Sequence, residues 1–166
     1  MEIRIIKSDD YGCGFNQLLT EFCRMPINIS LESFVEKLKN PIAVYAGVFT
    51  DSKSLCDASA PEGFSKSLCD ASAPERFSKS KMVAFGSVYF LNKIHYDKHV
   101  GVIEDIIVDP QYRHFGLGTK LIKFLIDQAK QHECYKVELY CLPELERFYQ
   151  NANLIKHGIE MRQMLN

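Results

Sequence analysis

Two short stretches of this chain carry residue types that could do chemistry. In Val102-Ile103-Glu104-Asp105-Ile106-Ile107-Val108, two carboxylates stand side by side within an apolar strand. Burying them is expensive unless they have partners or a task. Successive strand residues face opposite sides, so one of the two is expected to sit at odds with the core. Just downstream, Arg113-His114-Phe115-Gly116-Leu117-Gly118-Thr119 opens an amphipathic run. Gly116 and Gly118 allow backbone N–H groups to turn toward one point, and a helix dipole would add partial positive charge there. Such a turn binds phosphate; the plainer alternative is an ordinary strand-to-helix turn. It is not a Walker loop, because no G-K-[ST] closes it, and it lacks the third glycine of a dinucleotide fingerprint.

The elements around these stretches must position them. Leu117, Leu121, Ile122, Leu125, Ile126 and Ala129 form one apolar stripe, which predicts a helix over 118–131 with its inner face committed to the core. Val100 to Val108 reads as a buried strand leading into the turn. Tyr135 to Cys141 reads as another strand, 143–151 as a short helix with Pro143 in its first turn, and Leu154 to Met164 as a last strand. Upstream, Glu2 to Ile6 is strand-like, and Phe15, Leu18, Leu19 and Phe22 fall at helical spacing. Ser30 can cap a second helix bearing Leu31, Phe34, Val35 and Leu38. Pro41 to Thr50 and Lys81 to Leu91 are two strands that a hairpin could join. Alternating strands and helices point to an α/β or α+β sheet with helices on its faces.

Between the two hairpin strands, at about 52–80, SKSLCDASAPEGF is followed at once by SKSLCDASAPERF, with Gly63 against Arg76 as the only change. Two short copies cannot build a solenoid. They read as a duplicated, tolerated insertion, with a docking or regulatory arm as the alternative; lengthening a loop about fivefold costs only roughly 1.4 kcal/mol.

At 166 residues the chain is expected to be a single domain over 1–166. Twenty Lys and Arg against 21 Asp and Glu leave a formal net charge of -1, so no global field recruits nucleic acid or an anionic membrane. No apolar run reaches the length of a membrane span, and early charges break up any signal-peptide core. A soluble cytoplasmic protein is expected. Six cysteines include the repeated Cys56 and Cys69, and no pair has C-x-x-C spacing, which favours free thiols. The five histidines form no helical i, i+4 pair, so no metal is expected.

The turn also matches R/Q-x-x-G-x-G/A, and on this motif, with a strand before it and a helix after it, the chain resembles the GNAT superfamily of N-acetyltransferases. Val102 to Val108, Cys134-Tyr135-Lys136-Val137, Cys141-Leu142-Pro143, Phe148-Tyr149 and Glu160-Met161 are similar to segments of one of its branches, the glucosamine-6-phosphate N-acetyltransferases. Lys93-Ile94-His95 resembles a segment at similar distance before that branch's I-E-D strand. The likeness covers about the last 75 residues well and the first 50 only in element order.

The resemblance implies a mixed, mostly antiparallel central sheet flanked by helices, acetyl-CoA as cosubstrate, glucosamine 6-phosphate as acceptor and a homodimer in amino-sugar nucleotide synthesis. It implies that the backbone of Arg113, His114, Phe115, Gly116, Leu117 and Gly118, with the Thr119 hydroxyl, holds pyrophosphate. Backbone groups of Ile106, Ile107 and Val108 would orient the acetyl group, and Tyr149 would protonate the leaving thiolate. Glu104 and Asp105 would line the sugar site, with Lys93, Ile94 and His95 toward the phosphate and Tyr140 nearby. This chain departs from the branch in having Tyr140 where an acidic residue is common and Leu145 where an asparagine is usual. The general base stays open among Glu104, Asp105, water and a backbone carbonyl. A GNAT acting on another small amine or a peptide N-terminus, and a non-catalytic acyl-CoA-binding module, are the alternative readings.

Overall fold

A computed structural model describes residues 1–50, 80–95 and 97–165, and the duplicated segment lies outside the described residues except for Ser80. β1 (Glu2–Ile5), β2 (Ala43–Thr50), β3 (Lys81–Asn92), β4 (His99–Val108) and β5 (Lys136–Glu138) form one sheet in that order. The first four pair antiparallel and β5 joins β4 in parallel. β2 and β3 thus pair as the two hairpin strands that the sequence suggests.

Helices cover both faces. On one, α3 (Leu117–Gln131) inserts Leu117, Leu121, Ile122, Leu125 and Ala129 against Val83, Val88 and Ile103 of the sheet. On the other, α1 (Phe15–Cys23) and α2 (Leu31–Leu38) pack Phe15, Leu18 and Phe34 against Phe49, Phe85 and Ile107. Ser30 caps α2 as its position suggests, its hydroxyl accepting the Ser33 N–H at 3.1 Å. Buried Phe34 then anchors the helix through ring contacts with Tyr11 at 5.4 Å and Phe15 at 4.8 Å.

Three expectations change. β5 is three residues long rather than spanning Tyr135 to Cys141, because its pairing with β4 ends at Val102 opposite Glu138 and the two strands then part. The helix expected over 143–151 divides into a 3-10 turn, Pro143–Leu145, and α4 (Glu146–Gln150). The segment Leu154 to Met164 forms no strand. Its alternating pattern suits a strand, but it finds no partner among the described residues, and Ile155, Ile159, Met161, Met164 and Leu165 are exposed.

Candidate active site

The site begins with a bulge in β4. Phe85 pairs with Ile107 and Ser87 with Glu104, so two steps along β3 are matched by three along β4. One residue is therefore extra, and Asp105 adopts the left-handed region at φ 55°. Buried Ser87 pins the bulge, its hydroxyl donating to the Glu104 carbonyl at 3.2 Å. Gly86 makes room for it: a Cβ there would stand 2.7 Å from Ile106 Cδ1. Strict alternation predicts one carboxylate at odds with the core. The bulge overturns that expectation, because Glu104 and Asp105 are both outside the core.

Past Val102, β4 has no neighbour on its β5 side among the described residues. Backbone groups of its second half therefore face a cleft rather than a ladder. Ile107 itself is buried, packed against Phe85 and Met82, while Ile106 and Val108 are half-buried against the α3 core. Tyr149 of α4 stands half-buried beside the cleft, its ring edge-on to Phe148 at 4.9 Å. Burial, reinforced by Cys141 and Glu104, pushes its phenol up, so the hydroxyl keeps its proton at neutral pH. Burial also raises Glu104, with Asp105 and then Glu160 of the C-terminal segment adding to the effect. Asp105 is raised by burial too, against an opposing pull from Lys37.

The turn after β4 is built with alternating handedness. Arg113 is extended (φ -69°, ψ 161°), while His114 and Gly116 are left-handed at 67° and 73°. Such alternation gathers backbone N–H groups into an anion-binding concavity at the start of α3. A hollow of about 250 Å³ lies there, lined by Arg113, His114, Gly116, Gly118, Thr119 and Phe148 among others. Phe115 is exposed beside it and Leu117 turns into the core. Arg113 Nε donates to the Val108 carbonyl at 3.1 Å, tying the turn to the strand end.

Two contacts escape sequence reasoning. Buried Asp109 accepts the Gln111 N–H at 3.0 Å and pairs with Lys81 Nζ at 2.9 Å, locking the junction of β4 and the turn to the start of β3. The Asp-Pro pair at 109–110 is a turn signal that could have flagged it. Gly118 touches the opposite wall, since a Cβ there would stand 2.8 Å from Phe148 Cζ. The turn and the helix carrying Tyr149 are thus in van der Waals contact through this glycine.

Other residues lie apart. Lys93, Ile94 and His95 follow the end of β3, and the strand runs five residues past Ser87 before reaching them. At about 3.3 Å per residue that is about 17 Å, longer than a hexosamine phosphate. One chain's fold does not bring them to Glu104 and Asp105. Tyr140 is exposed on the segment leaving β5. Among the described residues, no group of three or more His, Cys, Asp or Glu could hold a metal ion.

A strand opened by a bulge and a parting neighbour, an anion-binding turn continuous with it and a protonated phenol across the cleft fit a pantetheine thioester of coenzyme A. Comparison with known proteins agrees. Residues 49–152 match the acetyltransferase (GNAT) family profile. A probable glucosamine 6-phosphate N-acetyltransferase 2 from Oryza sativa is 29% identical over 97% of this chain and 86% of its own length. The glucosamine 6-phosphate N-acetyltransferase of Arabidopsis thaliana is 38% identical over 49% of this chain and 55% of that one. A crystal structure of the Arabidopsis thaliana enzyme superposes with a TM-score of 0.75 at 24% identity, covering 99% of this chain and 98% of that one, which establishes the shared fold. The chain belongs to the GNAT family of acetyltransferases.

Proposed function

We propose that this protein acetylates the amine of glucosamine 6-phosphate, giving N-acetylglucosamine 6-phosphate for amino-sugar nucleotide synthesis, as a cytoplasmic homodimer. The observation that carries the reading is the second half of β4, bulged at Asp105 and parted from β5, running straight into the left-handed turn at His114 and Gly116 whose hollow Phe148, the neighbour of Tyr149, also lines. The activity named for the rice and Arabidopsis relatives supports the choice of acceptor.

Acetyl-CoA supplies the thioester when bound. The turn from Arg113 to Gly118, with Thr119, would hold its pyrophosphate by backbone N–H groups. Backbone groups of Ile106 to Val108 on the side turned away from β3 would orient the acetyl carbonyl. Glu104, with its pKa raised by burial and by Asp105, would take the ammonium proton directly or through water, freeing the lone pair for attack. Tyr149 would deliver its proton to the departing sulfur.

In a thiol-release assay, glucosamine 6-phosphate should react with a specificity constant at least about tenfold above that for glucosamine, because charge-assisted bonds to the phosphate are lost without it. Equal constants for the two sugars would defeat the sugar-phosphate reading and direct attention to other amines.

The five exposed apolar side chains of the C-terminal segment, Ile155, Ile159, Met161, Met164 and Leu165, support the dimer. Light scattering should give twice the 19.0 kDa chain mass, and removal of residues 155–166 should give the monomer. A full-length monomer at micromolar concentration would overturn the proposed assembly.

A further inference from the structure

The connection from β4 to α3 leaves the sheet at Val108, the last residue of the strand and the partner of Ala84. One residue later Asp109 still donates its N–H to the Val83 carbonyl at 2.9 Å, and the chain then turns away through the 3-10 turn Pro110–Tyr112. Lys81 of β3 reaches both ends of that turn. Its Nζ lies 2.9 Å from Asp109 Oδ2 at the start and 5.7 Å from the centre of the Tyr112 ring at the finish. Val108 and Tyr112 line the hollow of about 250 Å³ at the start of α3, whereas Lys81 stands outside that lining.

The lysine reaches from a fixed base. Lys81 pairs with Thr50 across the β2–β3 ladder, and the next residue, Met82, donates its N–H to the Cys13 carbonyl at 2.8 Å. The Lys81 side chain is 36% exposed and that of Asp109 only 8%, so their ion pair is screened less than a surface pair. The other Asp109 oxygen accepts the Gln111 N–H at 3.0 Å, and the Tyr112 N–H bonds back to the Asp109 carbonyl at 2.8 Å. Those bonds shape the turn; the lysine sets where it stands. Anion binding by backbone amides depends on their convergence, so a displaced turn binds more weakly although every amide remains.

We infer that Lys81 is a positioning residue for the acetyl donor: through Asp109 and Tyr112 it places the N–H groups that receive the pyrophosphate, without touching the donor itself. The inference rests on the reading of the turn as the pyrophosphate site, and it gives a residue of β3 a part in donor recognition.

The test compares specificity constants for acetyl-CoA and for S-acetylpantetheine, which ends before the pyrophosphate, with glucosamine 6-phosphate as acceptor. In Lys81→Met, which keeps the stem and removes the charge, the preference for acetyl-CoA should fall about tenfold, through that donor alone. Lys81→Arg should restore most of it. Because Lys81→Met leaves a buried carboxylate without its cation, the double variant Lys81→Met/Asp109→Asn is measured beside it. Its amide can still accept the Gln111 N–H, and the same loss of preference should appear with no buried charge. A preference unchanged in the folded variants, or a fall shared equally by both donors, would overturn the positioning role and leave the pyrophosphate turn standing. A parent that uses the two donors equally well would defeat the reading of the turn, and the inference with it. If glucosamine 6-phosphate accepts no acetyl group in the parent, CoA titrations of the same proteins decide. An affinity about tenfold lower in Lys81→Met and regained in Lys81→Arg supports the role, and equal affinities overturn it.

Discussion

Tyr149→Phe is expected to lower turnover about a hundredfold while leaving acetyl-CoA affinity near that of the parent. The change removes one oxygen. Tyr149 packs against the α3 core cluster and against Phe148, and a phenylalanine ring keeps those contacts. Among the described residues its hydroxyl has no hydrogen-bond partner, so no structural bond is broken. What is lost is the proposed proton donor, whose raised pKa keeps it protonated at neutral pH. A positioned general acid contributes roughly 10² to 10⁴-fold, and a thiolate is already a good leaving group, so the low end applies. Selective loss of turnover at preserved binding marks an interaction made mainly in the transition state. If the folded variant released CoA thiol as fast as the parent, with chemistry shown to be rate-limiting, Tyr149 would not be the donor, and Tyr140 would be the next hydroxyl to examine.

What the sequence reveals of this site follows from how local each cause is. Ser30 capping α2 and the apolar stripe of α3 are legible because cap and stripe lie within one element. The turn at Gly116 is legible for the same reason, since its left-handed φ of 73° is a property of that residue. The bulge at Asp105 is not. It depends on Gly86 and Ser87 in another strand, and periodicity within β4 alone predicts unbroken alternation. Lys81 and Asp109 meet from positions 28 apart in sequence, so their ion pair is equally invisible locally. The segment from Leu154 to Met164 shows the converse: it has the alternation of a strand but, among the described residues, no neighbour to pair with, and a strand exists only in its ladder. A hollow of about 680 Å³ beside α2 arises because Lys37 on that helix and Asn40 just past its end meet Tyr45 and Tyr89 on two strands. Periodicity assigns faces to elements; it does not say which faces meet.

Gly118→Val should weaken CoA binding about ten- to a hundredfold and lower turnover as well, whereas Gly116→Ala should cost stability first and leave the turnover of CoA-saturated enzyme near that of the parent. The two glycines are two residues apart in one turn, yet they are glycine for different reasons. At Gly116 an added Cβ meets nothing within 4 Å, but φ is 73°. An alanine there costs about 1–2 kcal/mol of backbone strain and displaces no neighbouring side chain. At Gly118 the space is filled: Phe148 Cζ at 2.8 Å, Phe148 Cε2 at 3.1 Å and Val108 Cγ2 at 3.4 Å from the added atom. Valine must push Phe148 away, and Tyr149 is bonded to it in sequence and packed edge-on against its ring. Overpacking of this kind costs about 1–3 kcal/mol, and each 1.4 kcal/mol is a tenfold change in an equilibrium constant. The displaced ring also lines the hollow at the start of α3, so the anion-binding turn and the proton donor are disturbed together. Isothermal titration with CoA and single-turnover kinetics would separate the two effects, with thermal melts to check folding. A folded Gly118→Val protein with unchanged CoA affinity would remove the assignment of the turn as the pyrophosphate site, and unchanged turnover would show that Phe148 does not link that turn to Tyr149.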